Sequence, residues 1–524
     1  MTDPLATAVA QAIAAGGARF SFGVPGGGPN LDVVGALAAA GVEFVLTHGE
    51  TAAAIMASTY GLLTGSPTLA LATRGPGATS AVNGAAQATL DRAPLLLVTD
   101  TVHVADAGRV AHQRVDQRAL FAPVTKWSGT LGANRPDRTV AGALQLATAP
   151  LPGAVHLDHD PSAPGDMPPP PLVRRPPAAE EVERARALLA GAERPVAIVG
   201  LGALADAVAV RRLLARRGLP VLTTYQAAGT VDSEGDMAAG LFTNGASEQP
   251  LVDEADLIVA IGLDPVEPIP APWRSSAPVV AIHPVPLTDA YYEPAVTLAG
   301  PVGACLAAVL DAAPTSTWPA GAGARHREAV RAALRHGAGG FGPLDVVDAV
   351  VASRPPGTTA TVDAGAHFLA VMPMWPAATP LSILISNGLA TMGYALPAAI
   401  GAALARPHRP VVCLVGDGGL GMVLAELETV ARLALPITIV VFDDAGLSLI
   451  KIKQGDAHGG SPAVDYRPID FAAAARACGL AAETVDDAAS LRRVLTNGWE
   501  RPRLVAARIA PDHYAHLLAV TRGS

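Results

Sequence analysis

The chain has 524 residues, half of them apolar, 16% charged and 4% aromatic, with a formal net charge of −9. That length asks for about three domains, and the composition suits a well-buried globular protein with a core of Ala, Val and Leu rather than a disordered chain. The acidic balance excludes a nucleic-acid groove, which needs a basic face, and no apolar run approaches the roughly 20 residues that span a bilayer.

The first 20 residues begin with Asp3 and carry no basic region ahead of their apolar positions. They read as an amphipathic helix rather than a signal peptide, and a cytoplasmic location is expected. A first block, 1–165, alternates short apolar strands (43–46, 68–72, 94–99) with Ala-rich helical stretches (51–63, 78–90). Such alternation implies a parallel sheet with helical crossovers. Residues 161–177 are dense in proline, which can neither continue a helix nor sit inside a sheet. We therefore place a stiff surface linker at 166–179.

The middle block, 180–330, opens with a helix at 180–189 and a strand at 195–199, followed by strands at 257–261 and 279–282. Within it Arg211, Arg212, Arg216 and Arg217 have helical spacing and read as a solvated face. The segment 311–342 is expected to be a second connection, partly helical. The third block, 340–524, carries strands at 411–415 and 437–442 and helices at 396–405 and 422–434. The predicted class is α/β, with three doubly wound parallel-sheet domains, and the first and third blocks share one alternating pattern. Cys305, Cys413 and Cys478 lie far apart without metal-ligand spacing, and are expected to be buried, inert thiols in a reducing compartment.

The strongest chemical signal lies in the third block. A buried strand ends in Gly416-Asp417-Gly418-Gly419, and a second ends in Asp443-Asp444 before Ala445-Gly446-Leu447, one strand–helix–strand crossover later. Parallel strands bring their carboxyl ends to one sheet edge, so the two acids can converge there. Carboxylate oxygens suit Mg²⁺, which often bridges protein to phosphate, and the glycines let backbone N–H groups approach an anion at a helix N-terminus. Gly-Asp-Gly alone is also an ordinary strand–helix turn.

With the acidic pair at this spacing, the segment resembles the signature of the thiamine-diphosphate enzymes. The run from Ser386 to Ala399 and the helix Glu426-Leu427-Glu428-Thr429 are similar to that family's motifs, and the likeness is closest to its acetohydroxyacid (acetolactate) synthase-like branch. The resemblance implies a pyrimidine-binding first domain, a middle domain, and a third domain that binds diphosphate and Mg²⁺. Asp417, Asp444 and the Gly446 carbonyl would hold the ion, beside Gly416, Gly418 and Gly419. Asp443-Asp444 stands where the family usually has Asn-Asn, which leaves the partner of Asp443 open.

The resemblance further assigns Glu50, in Thr47-His48-Gly49-Glu50, to the aminopyrimidine N1′ as the acid–base residue. Taken alone, Glu50 reads first as a first-turn residue that offsets the helix dipole. Pro25-Gly26-Gly27-Gly28 and Arg74-Gly75-Pro76-Gly77 are similar to the pyrimidine-binding loops, with Pro25, Gly26 and Pro76 on the cofactor and Gly28 and Gln113 toward the reacting carbon. In Asp363-Ala364-Gly365-Ala366-His367, Gly365 and His367 would face the diphosphate, although Ala366 replaces a Gln and His367 is equally a packed histidine. Met392 would wedge between the cofactor rings, Ala390 would offer its carbonyl to the 4′-amino group, and Leu447 and Leu449 would line the same site.

The implied reaction is decarboxylation and carboligation of a small-molecule 2-keto acid through an acyl-anion (enamine) intermediate. Simple decarboxylation, C–C or 2-hydroxyacyl-CoA lysis, and a cofactor-binding paralogue without turnover are the alternatives. The family builds its site across a subunit interface, so a homodimer is the expected minimum and a homotetramer the expected assembly, with no nucleic-acid or membrane partner. Gly200-Leu201-Gly202 lacks the full dinucleotide fingerprint, and FAD in the middle block is neither assigned nor excluded. Arg74 reads as a carboxylate clamp or as a salt bridge, and His112 as structural.

Overall fold

The computed structural model describes residues 3–310, 316–337, 339–455, 462–496 and 498–523. Its strands form three six-stranded sheets in which every paired strand runs parallel to its neighbour. In the first sheet, β1 (Phe20–Val24), β2 (Glu43–Leu46), β3 (Thr68–Ala72), β4 (Leu95–Asp100), β5 (Trp127–Leu131) and β6 (Ala154–His159) stand in the order β2-β1-β3-β4-β6-β5. The second contains β7 (Pro195–Val199), β8 (Val221–Thr223), β9 (Ala238–Leu241), β10 (Leu257–Ile261), β11 (Val279–His283) and β12 (Val296–Ala299), ordered β12-β11-β10-β7-β8-β9. The third contains β13 (Thr359–Val362), β14 (Ile383–Ile385), β15 (Val411–Gly416), β16 (Ile437–Asp443), β17 (Ala481–Val485) and β18 (Arg503–Arg508), ordered β14-β13-β15-β16-β18-β17. The first and third sheets therefore share one topology, the physical basis of the common pattern in the sequence.

The central strands are buried along their whole length, as in β3, β7 and β10. Continuous apolar runs of this kind need helices on both sheet faces. One apolar core runs from Leu5 to Ala506 and joins the first and third units. At its centre the helix Glu50–Thr64 lies so close to the helix Ala395–Ala405 that a Cβ on Gly401 would fall 2.5 Å from the Met56 carbonyl oxygen. The middle unit is tied to the first by Arg92, whose Nε and Nη2 reach the buried Asp264 carboxylate at 2.7 and 2.9 Å.

Several local expectations change. The N-terminal helix is Pro4–Ala15, capped by the Asp3 side chain on the Leu5 amide. The single helix expected at 422–434 is two, Asp417–Met422 and Glu426–Arg432, separated where Val423 leaves helical geometry at φ −129°. Arg211 is not a solvated side chain. It donates to the Thr230, Gly229 and Ala378 carbonyls and so ties the middle unit to the third. Residues 160–166 of the proline-rich stretch pack on β5, with Asp166 and Thr130 exchanging hydrogen bonds. In the connection at 311–342, residues 311–315 and 338 lie outside the described residues, and the helix is Ala322–Arg335. Cys305 and Cys413 are buried free thiols, whereas Cys478 is half-buried. Among the described residues no helix is long and apolar enough to cross a membrane.

Candidate active site

The third sheet reverses its strand order between β13 and β15, and ligands of open α/β sheets settle outside the carboxyl ends of the strands at such a point. A cleft lies there. β15 pairs with β16 so that Gly416 faces Phe442, which sets Asp417 and the Asp443-Asp444 pair side by side at the strand ends. The cleft is lined from both loops by Gly416, Asp417, Gly418, Gly419, Asp444, Gly446, Leu447 and Leu449. Gly365 and His367 enter from the loop after β13, and Ala390 and Met392 from the loop after β14. The structure thus brings together every residue that the sequence assigns to the diphosphate half.

Asp417 is buried, and its carboxylate accepts from the amides of Gly418 (2.7 Å), Ala445 (2.6 Å) and Asp444 (3.2 Å). Burial nevertheless pushes its carboxyl above the usual carboxylate range. Burial and the neighbouring Asp417 charge push Asp444 up to about 7. Asp444 Oδ1 is buried with no hydrogen-bond partner, whereas buried acceptors are ordinarily satisfied. Two converging carboxylates with one orphaned oxygen fit a divalent ion completed by carbonyl and phosphate oxygens. No group of three His, Cys, Asp or Glu among the described residues forms a closed metal cage.

Asp443 finds its partner on the adjacent strand. β16 and β18 place it opposite Arg508, whose Nε lies 4.0 Å from Asp443 Oδ2. His367 is both packed and available. Its ring stacks on Phe442 at 5.1 Å, burial holds its pKa down to about 4, and Nε2 has no partner in the cleft wall. The other ring nitrogen bonds the Leu414 backbone, so in the neutral imidazole Nε2 is the acceptor, and it donates to an anion only when the ring takes up a proton.

The residues of the pyrimidine half gather at another edge, the carboxyl ends of β2, β1 and β3. Glu50 opens the helix after β2, half-buried, and a Cβ on Gly77 would lie 3.0 Å from its Oε1. Pro25, Gly26 and Gly28 follow β1, where the Gly26 amide donates to Asn30 Oδ1 at 2.8 Å and Gly28 adopts φ +70°. Pro76 is exposed beside Gly75, and the Gln113 backbone, at φ +57°, lies over Gly75. His112 and the Gln113 side chain are exposed, so His112 is not a packed residue. Arg74 reaches toward Asp100 at 3.9 Å, a salt bridge within the first unit. None of these residues lines the cleft of its own chain, whose walls come from residues 364–514.

Sequence reasoning missed several groups. Asp363, fully buried, accepts from the amides of Ala364 (2.9 Å), Gly393 (3.0 Å) and Tyr394 (3.2 Å), locking the Met392 loop to β13. Gln117 takes the Gly75 amide at 3.0 Å and donates to Asp100 O at 2.9 Å, fixing the Pro76 loop from beneath. Tyr466 faces Asp417 across Gly418, and Tyr514 closes the cleft floor. These pairings join distant segments, and no local spacing signals them. In the middle unit, whose strand order is that of dinucleotide-binding domains, the amides of the Gly200 turn are used internally: Leu201 donates to Glu267 Oε2 at 2.8 Å and Gly202 to the Gly262 carbonyl at 2.8 Å.

Comparison with known proteins agrees with this geometry. Three family models match in succession: the thiamine pyrophosphate enzyme N-terminal TPP-binding domain at residues 4–120, its central domain at 182–309 and its C-terminal TPP-binding domain at 363–507. The chain is 31% identical to the acetolactate synthase of Bacillus subtilis, covering 95% of this chain and 91% of the relative. It is 30% identical to the catabolic acetolactate synthase of Raoultella terrigena (91% and 90% covered) and 30% to the probable 2-ketoarginine decarboxylase of Pseudomonas aeruginosa (94% and 91%). The chain therefore belongs to the thiamine pyrophosphate enzymes, in their acetolactate synthase-like branch, and is a thiamine-diphosphate-dependent enzyme of the carboligase and decarboxylase kind.

Proposed function

We propose that the enzyme decarboxylates a small 2-keto acid, pyruvate first, and joins the remaining acyl unit to a second carbonyl compound. The observation that carries this is the cleft at the switch point, which Asp417 and Asp444 line together and where Asp444 Oδ1 has no hydrogen-bond partner. Thiamine diphosphate, when bound, would supply the carbanion and electron-sink chemistry that decarboxylation needs. Asp417, Asp444 and the Gly446 carbonyl would hold Mg²⁺, and the glycine turn Gly416, Gly418 and Gly419, beside His367, would leave room for the phosphates. Ala390, Met392, Leu447 and Leu449 orient the rings and keep water from the reacting atoms. Glu50 holds and returns a proton at its carboxylate, with Pro25, Gly26 and Pro76 beside it, and Gly28 and Gln113 contact the substrate.

We assign the units as a pyrimidine-binding domain at 1–165, a linker at 166–179, a middle domain at 180–330 and a diphosphate domain at 340–524. Because Glu50 stands away from the cleft of its own chain, it serves the cleft of a second copy, and the working unit is a homodimer or a pair of them. The free thiols support a cytoplasmic location. The resemblance to the 2-ketoarginine decarboxylase supports a second reading, in which a proton rather than a carbonyl traps the acyl unit. Incubation with a panel of 2-keto acids, with CO₂ and products read by NMR, separates the two: acetohydroxy acids mark carboligation, aldehydes mark decarboxylation, and no consumption of any keto acid rejects both. Glu50→Gln is expected to abolish turnover while thermal stabilisation by thiamine diphosphate and Mg²⁺ remains. An unchanged rate would remove Glu50 from this role.

A further inference from the structure

The turn that delivers Glu50 is held by a helix of the other half of the protein. The His48 amide donates to Glu426 Oε1 at 2.9 Å, and the exposed His48 ring places Nε2 2.8 Å from Glu428 Oε2. Arg432, on the same helix, pairs with Glu428 at 3.1 Å and donates from Nη2 to the Leu46 carbonyl at 2.6 Å. One short helix thus grips the end of β2 and the following turn at three points, two residues before the carboxylate.

The turn needs this support. Its N-cap residue is Gly49, which has no side chain to cap the helix, so within the turn itself the restraint is the Thr47 hydroxyl, which donates to the Gly49 carbonyl at 3.1 Å. Glu426, by contrast, is 2% exposed and is fixed in turn by the Thr429 hydroxyl at 2.7 Å. A buried carboxylate is costly unless its hydrogen bonds are made, and one of the bonds made here is to the amide ahead of Glu50. The helix that carries Glu426 also begins only three residues beyond Asp417–Met422. The side-chain bonds of Glu426 go to the His48 amide and the Thr429 hydroxyl and not to the metal loop.

We infer that Glu426, assisted by Glu428 and Arg432, is a positioning residue that sets Glu50 at the height and angle its proton transfer requires. The inference rests on the reading of Glu50 given above. A misplacement of about 1 Å at a reacting group can cost on the order of 100-fold in rate, and Glu426→Ala is expected to lower kcat by that order, measured with the 2-keto acid consumed fastest in the panel. The concentrations of thiamine diphosphate and Mg²⁺ at half-saturation should stay those of the parent. Glu426→Gln, whose amide oxygen still accepts from His48, should recover most of the turnover.

The decisive measurement is a double-mutant cycle with Glu50→Asp, which keeps the acid but withdraws it. If Glu426 acts through Glu50, Glu426→Ala costs far less in the Glu50→Asp background than in the parent. Equal costs in both backgrounds, or a rise in half-saturating cofactor that accounts for the loss, overturn the inference. Should Glu426→Ala fail to fold, the exposed Arg432→Ala takes its place in the same cycle. If Glu50→Gln loses turnover while Glu426→Ala does not, the positioning role alone falls; if Glu50→Gln retains turnover, the reading beneath it falls as well.

Discussion

Glu267 sits wholly inside the middle unit, where its carboxylate accepts from the Leu201 amide at 2.8 Å, the Asp264 amide at 3.0 Å and the Thr224 hydroxyl. Burial, with the Asp264 charge beside it, pushes its carboxyl from 4.5 up to about 8. An acid whose pKa is higher in the folded state binds more protons there, so stability falls as pH rises between those two values. Glu267→Gln keeps an oxygen for the amides and removes the titration. Relative to the parent, the variant should gain stability steadily from about pH 5 to about pH 8, by no more than about 1.4 kcal/mol per pH unit. Melting curves across that range test this, and parallel curves would mean that Glu267 keeps one protonation state throughout. Single residues were legible in the sequence only where a motif surrounded them. Asp417, Asp444 and His367 stood out because neighbouring glycines and strand ends framed them. Glu267 and Asp363, equally buried acids, bond to amides that folding alone brings near, so their spacing carries no sign of it.

Elements were easier to read than their ends. The strands β3, β7 and β10 coincide with the apolar runs at 68–72, 195–199 and 257–261, because a fully buried parallel strand has no polar face to interrupt the run. The helix expected at 422–434 is interrupted where Val423 leaves helical geometry, and the helix that follows turns the buried Glu426 to the His48 amide, a partner far off in sequence that no local pattern signals. Helix contacts between units were also hidden, since they depend on residues too small to show an apolar stripe. Gly84 and Gly401 lie on either side of the helix Glu50–Thr64, and a Cβ on Gly84 would come 2.5 Å from that of Ala54. Gly401→Ala would set a methyl group against the Met56 carbonyl, which as backbone cannot swing away. Overpacking of this kind costs about 1–3 kcal/mol. The variant should therefore melt earlier, and because the displaced helix begins with Glu50, kcat should fall more than cofactor affinity. A melting temperature equal to the parent's would mean that the two helices separate without cost.

At the scale of the whole molecule, the repeated topology of the first and third sheets puts the cleft and the Glu50 loops at different sheet edges. The cleft is walled by residues 364–514, while the Glu50 edge leaves the backbone at Gly27 and Gly28 facing open space. Leu31, Leu46, Leu389 and Met422 are exposed apolar side chains close in sequence to these two edges. If a second copy closes the site, two inactive variants should repair each other. Glu50→Gln spoils the edge a chain lends, and Asp417→Asn spoils the cleft it owns. In a mixed dimer, the Glu50→Gln chain keeps an intact cleft and receives an intact Glu50 from its partner, while the other cleft lacks both. Random exchange of equal amounts makes about half of the dimers mixed, each with one working site of two, so about a quarter of the parent's activity should return. The measurement is turnover after the two purified variants are dissociated and reassociated together, against each treated alone. If both groups served one chain, the mixture would stay as inactive as its parts, because no exchange of partners would place Glu50 beside an intact Asp417.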